Sequence, residues 1–149
     1  MIQGVKISKR QQIIDERGKI MRMLRNDDDA FTKFGEIYFS CTFPGSIKAW
    51  HIHKEMTLNY SIIYGKIKLV LYDDRKKSRT KGKIQEIFLS AENYSLVTVP
   101  PLIWNGFKAI GNETSIVANC SDIPHDTKEI MRKKFDDTSI PYDWGIKHK

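Results

Sequence analysis

With 149 residues, 40% of them hydrophobic and 29% charged, the chain has the length for one domain with its own core and no room for a second. Two distant cysteines, Cys41 and Cys120, argue against a disulfide framework or a cysteine-built zinc site and for a reducing, cytoplasmic home; no apolar run reaches signal-peptide or membrane-span length, so no membrane is expected. The net charge of +7 favours an anionic partner but does not choose between nucleic acid, anionic lipid and a phosphorylated metabolite.

Alternating apolar and polar residues predict strands over Ile2 to Ile7, Ile20 to Leu24, Glu36 to Phe43, Ile47 to His53 and Leu58 to Tyr64. Further strands follow over Lys66 to Tyr72, Ile84 to Leu89, Ser95 to Val99, Trp104 to Ala109 and Ser115 to Cys120. Gly65 supplies a corner between two of them, and the pattern predicts a tight hairpin there. The basic run Arg75, Lys76, Lys77, Arg79, Lys81 and Lys83 reads as a solvated hairpin loop, broken as it is by Ser78, Thr80 and Gly82. Thr127 to Lys134 reads as one short helix, and Ile140, Tyr142 and Trp144 make the tail apolar enough to pack on the body. Many short, regularly punctuated strands predict an all-β barrel or sandwich.

Trp50-His51-Ile52-His53 is the most informative stretch. On a strand, His51, His53 and Glu55 fall at alternate positions and share one face, bringing two imidazoles and a carboxylate together. Gly45, five residues, His51-Ile52-His53 and then Gly65 resemble the first motif of the cupin superfamily, which implies a double-stranded β-helix, or jelly-roll barrel. Two of that superfamily's four metal ligands would fall at Leu58 and Asn105, so no metal is expected. A metal-binding cupin using His51, His53 and Glu55 is an alternative, and a binding module for an acidic partner such as nucleic acid is a third. The last rests on charge alone, without interleaved aromatic and basic residues, so no nucleic acid is expected.

Over nearly the whole chain the order of landmarks resembles the dTDP-4-dehydrorhamnose 3,5-epimerases. Asp15-Glu16-Arg17-Gly18 comes first, and Lys48-Ala49-Trp50-His51 stands where that family has Arg-Gly-Leu-His. Asp73-Asp74-Arg75, Leu89-Ser90-Ala91-Glu92-Asn93, Val99-Pro100, Asn105-Gly106-Phe107 in place of His-Gly-Phe, and Ile140 to Trp144 follow in order. The resemblance implies a cofactor-independent isomerase, a nucleotide-sugar substrate and a homodimer. It implies His51 as the base removing a proton beside a ketone, with Lys48 and Arg17 facing the enolate or the diphosphate. The family's acid, a tyrosine, falls at about Ala118, which cannot transfer a proton.

Lys48-Ala49-Trp50-His51-Ile52-His53-Lys54 also resembles the Arg-Gly-Phe-His-Ala-His-Lys motif of the dTDP-4-keto-6-deoxyglucose 3,4-ketoisomerases. That resemblance implies paired histidines, His51 and His53, and a tyrosine corresponding to Tyr38, which together can replace the missing acid. Trp104 is a candidate wall for a nucleobase or sugar, or a core residue, and Asn105 a ligand-binding or structural amide. His125 reads as loop surface and His148 as polar tail.

Overall fold

The computed structural model describes residues 1–147, so His148 lies outside the described residues. Strands β1 (Lys6–Lys9), β2 (Gln12–Asp15), β3 (Gly18–Met21), β4 (Glu36–Thr42), β5 (Ile47–His53) and β6 (Leu58–Tyr64) are followed by β7 (Ile67–Tyr72) and β8 (Ile84–Leu89). Then come β9 (Ser95–Val99), β10 (Trp104–Ala109), β11 (Ser115–Ser121) and β12 (Ile130–Arg132). Two five-stranded antiparallel sheets, in the orders β1-β9-β6-β11-β4 and β12-β5-β10-β7-β8, face each other, and β2 and β3 form a separate hairpin. The all-β, jelly-roll expectation holds. Among the described residues no helix is long and apolar enough to cross a membrane.

Strand alternation decides what lies between the sheets. Leu58, Tyr60 and Ile62 of β6, Val97 and Val99 of β9, and Val117 of β11 meet Ile67, Leu69 and Leu71 of β7, Leu89 of β8 and Phe107 of β10 in one buried core. The alternate residues of β5, β7 and β10 point outward. Trp50, Ile52, Val70, Tyr72 and Trp104 there form a second apolar cluster, closed by Ile140 and Trp144 of the tail. The tail therefore packs on the barrel, as its sequence predicts. Polar clamps fix it: Trp50 Nε1 donates to the Phe135 carbonyl at 3.1 Å and Lys108 Nζ to the Trp144 carbonyl at 3.0 Å.

Two local expectations are corrected. Gly65 is a corner but not the turn of a hairpin, because β6 and β7 belong to different sheets. Its φ of 75°, together with a Cβ position that would lie 2.6 Å from Ser115 Oγ, leaves glycine as the residue that fits where the chain crosses over. The helix expected over Thr127 to Lys134 is absent: Ile130–Arg132 instead pairs antiparallel with β5, setting Arg132 opposite His51 and Ile130 opposite His53. Tertiary pairing overrides a weak local preference there.

The basic run does lie in the loop between the paired strands β7 and β8. Its anchor is Asp73, which has no exposed surface and accepts from Arg75 Nε at 2.9 Å, Ser78 Oγ at 2.6 Å and Thr80 Oγ1 at 2.6 Å. Burial opposes the Asp73 charge, but these donors prevail and hold its carboxyl below the usual range.

Candidate active site

Close packing of β10 on β5 builds the site. Gly106 makes it possible, because a Cβ there would lie 2.3 Å from the Ala49 Cβ. With Trp50 and Ile52 turned outward, His51 and His53 turn in, their ring centroids 5.8 Å apart and nearly perpendicular. They line a cavity of about 380 Å³ with Tyr38 of β4, Ile130 and Arg132 of β12, and His125. A smaller cavity of about 180 Å³ adjoins it, lined by Tyr38, Ser40, Lys48, His51, Tyr60 and Asn119. Tyr38 and His51 line both.

Buried hydrogen bonds orient these groups. His51 Nε2 lies 3.1 Å from the Tyr60 hydroxyl, which donates to Asn105 Oδ1 at 3.0 Å. His53 Nδ1 lies 2.5 Å from Glu129 Oε2, while Glu129 Oε1 accepts from the backbone N–H of Glu55 at 2.8 Å and of Met56 at 2.9 Å. Burial opposes the Glu129 charge, yet these amides and His53 outweigh it and hold its carboxyl below the ordinary value. A carboxylate so held only accepts, so His53 Nδ1 carries the proton and donates it. Tyr38 Oη accepts from Asn119 Nδ2 at 3.0 Å, and Asn119 Oδ1 is occupied by the Asn59 amide at 2.9 Å. Burial raises the Tyr38 pKa above the usual phenol value, so Tyr38 keeps a proton it can give.

Although part of its surface opens to the cavity, His51 is pushed down to about 3, first by burial and then by the neighbouring His53 and Arg132. At neutral pH it is an uncharged acceptor. The cavity thus presents a neutral imidazole, a protonated phenol and the cations Lys48 and Arg132, the equipment for moving a proton at a carbon of an anionic ligand.

The sequence profile of the dTDP-4-dehydrorhamnose 3,5-epimerase family matches residues 1–149. The chain belongs to this family of isomerases. The structure of a dTDP sugar isomerase from Desulfovibrio desulfuricans superposes with a TM-score of 0.94 at 42% identity, over 96% of this chain and 92% of that one. A probable low-salt glycan biosynthesis epimerase, Agl13 of Haloferax volcanii, is 33% identical over 95% of this chain and 89% of its own length. The spore coat polysaccharide biosynthesis protein SpsL of Bacillus subtilis is 29% identical over the full length of both.

In this epimerase-family chain, several sequence-derived site residues stand elsewhere than expected. Trp104 lines neither cavity: alternation turns it outward, into the cluster with Trp50 and Trp144, where Lys133 Nζ lies 4.9 Å from its ring centroid. Asn105 does face inward, but it has no exposed surface. Its Nδ2 donates to the carbonyls of His51 at 3.1 Å and Ile103 at 3.2 Å, its Oδ1 accepts from Tyr60, and it lines neither cavity. Arg17 sits at the exposed tip of the β2-β3 hairpin, paired with Asp15 at 2.6 Å and lining neither cavity. Glu55 lies beyond the end of β5 and is exposed, so it does not join the two histidines. His125 is indeed on an exposed loop, but it lines the cavity rim.

Lys48 lines the smaller cavity, its Nζ donating to Ser40 Oγ at 2.8 Å and to the Cys41 carbonyl at 2.6 Å. Ala118, where the family tyrosine was expected, is buried opposite Ser61 and Phe39, while its neighbours Val117 and Asn119 line the cavity. Four members of the constellation were not expected: Tyr60, Asn119, Glu129 and Arg132. A signal existed for Tyr60, since alternation through Leu58, Tyr60 and Ile62 turns its hydroxyl to the barrel interior, where it needs a partner.

Proposed function

We propose that this protein epimerises a nucleotide-diphospho-4-keto-6-deoxyhexose at a carbon beside the ketone, C3, C5 or both, in deoxysugar synthesis for surface polysaccharide. The observation that carries this reading is that His51 of β5 and Tyr38 of β4, on strands of opposite sheets, each line both cavities. His51 takes the proton from the carbon, leaving an enolate whose charge faces Lys48. Tyr38 gives its proton to the opposite face. The imidazolium and phenolate so formed are reset by one proton passing between them through the cavity. Arg132 receives the diphosphate, which cancels its part in depressing the His51 pKa, and the enolate charge strengthens the base further.

Product analysis by NMR, after incubation with a dTDP-4-keto-6-deoxyhexose in heavy water, tests this. Deuterium at C3, C5 or both with inverted configuration is the expected result. Absence of exchange across several 4-keto sugars sinks the proposal.

A second reading is a 3,4-ketoisomerase on the same substrates, favoured by His53 standing beside His51 with Glu129 holding its outer nitrogen. A ketone moved to C3 in the same spectrum would establish it. Under either reading we propose a homodimer. The outward residues Ile37 and Phe39 on edge strand β4 are 50% and 60% exposed, more apolar surface than an edge strand carries without a partner.

A further inference from the structure

The hydrogen bonds around His51 carry a consequence one step beyond the proposed reaction, whose catalytic meaning rests on that reaction. Asn105 fits in one orientation only. Its amide nitrogen faces two carbonyl oxygens, those of His51 and Ile103, and carbonyls accept but never donate. Its Oδ1 therefore faces the Tyr60 hydroxyl, 3.0 Å away, and must accept that hydroxyl's single proton. With its proton spent on Asn105, the Tyr60 oxygen is an acceptor toward His51 Nε2 at 3.1 Å, so Nε2 must carry hydrogen. Nδ1 of a neutral His51 is then the bare nitrogen. Among the described residues it has no hydrogen-bond partner. Nor is it shut in, since the buried polar atoms without partners are on Arg10, Thr42, Tyr94 and Trp144.

We propose that Tyr60 and Asn105 are positioning residues that lock His51 in the Nε2–H form, so that Nδ1 is the atom that takes the substrate proton. On proton uptake at Nδ1, the Nε2–H bond to Tyr60 is kept, so the ring need not turn between the two protonation states. The same logic recurs across the cavity. Asn119, its Oδ1 occupied by the Asn59 amide, is a donor toward Tyr38, which leaves the Tyr38 proton free for the substrate. Two buried amides thus fix one wall as acceptor and the other as donor.

The test is the nitrogen-15 spectrum of histidine-labelled protein without substrate at neutral pH, with the His51 signals assigned by their loss in His51→Asn. Nε2 protonated and Nδ1 bare is the result expected of the native protein. In Tyr60→Phe, which keeps the ring and removes the acceptor, a buried N–H without a partner is disfavoured by roughly 5- to 150-fold, so the Nδ1–H form should appear. Turnover of that variant should fall about tenfold or more with KM within about threefold, because only the competent tautomer reacts. A native His51 protonated on Nδ1 would overturn the inference, as would a Tyr60→Phe protein with an unchanged tautomer and full turnover. The native spectrum needs no substrate, so it reads the lock separately from the reaction: an Nε2–H His51 in a protein that exchanges no sugar proton keeps the lock and removes only the reaction.

Discussion

The two faces of the sheet formed by β5, β10 and β7 do opposite work with residues that alternate along the same strands. Outward, Trp50, Tyr142 and Trp144 pack ring against ring, with Trp50 and Trp144 centroids 5.0 Å apart, Trp104 joins the same apolar cluster, and Tyr142 reaches Glu86 at 2.5 Å to hold the tail down. Inward, His51 and Asn105 are joined through Tyr60 in a chain of directed hydrogen bonds and His53 is held by Glu129, which leaves a few atoms unspent on the cavity. Apolar packing depends on volume and tolerates imprecision in any one atom. A proton-transfer site depends on which atom carries hydrogen, and the buried amides fix that.

Substitutions that act on one face and spare the other should separate the two. His51→Asn is expected to reduce turnover by about 10²- to 10⁴-fold with nucleotide-sugar affinity within about tenfold, as measured by exchange kinetics and calorimetry. Trp144→Ala is expected to lower stability by about 3–5 kcal/mol in denaturant unfolding while the folded fraction keeps its activity within a few-fold. Trp104→Ala should fall in the same class, with KM unchanged, since the ring faces the tail. Glu129→Gln leaves His53 Nδ1 without its carboxylate and should cost about 2 kcal/mol of stability together with roughly tenfold in turnover.

The smallest effect is on pH dependence. Folded His51 stays neutral down to about 3, whereas in the unfolded chain it protonates near 6.5. Between those values the unfolded state binds the extra proton, so stability falls as pH drops through this window, by at most about 1.4 kcal/mol per unit. His51→Asn should flatten that part of the slope in thermal melts between pH 7 and pH 5. A slope unchanged by the substitution would show that His51 is not held neutral.

Alternation made most strands of the two sheets legible, and the His51-Ile52-His53 spacing located the cavity wall. It also held unused information. If Asn105 faces the cavity, its strand neighbour Trp104 cannot, so the sequence alone could have removed Trp104 from the site. β12 escaped because three residues carry no period, and their strand state comes from pairing with β5. Arg132 and Glu129 escaped with it, since the partner of Glu129, His53, lies 76 residues earlier. Gly65 read as a hairpin because a corner between sheets and a turn within one sheet place the same demand on a glycine. Tyr38 entered through a resemblance to the ketoisomerases, while the Asn119 that aims it carries no local signature.

Comparing His51→Asn and Tyr38→Phe in heavy water with a dTDP-4-keto-6-deoxyhexose separates removal of the proton by His51 from its return by Tyr38 on the other face. His51→Asn is predicted to exchange carbon-bound protons at least about 10²-fold more slowly than the native protein, whereas Tyr38→Phe should still exchange deuterium into the sugar with retention and make little inverted product. Exchange near the native rate in His51→Asn, or full inversion in Tyr38→Phe, would contradict these roles.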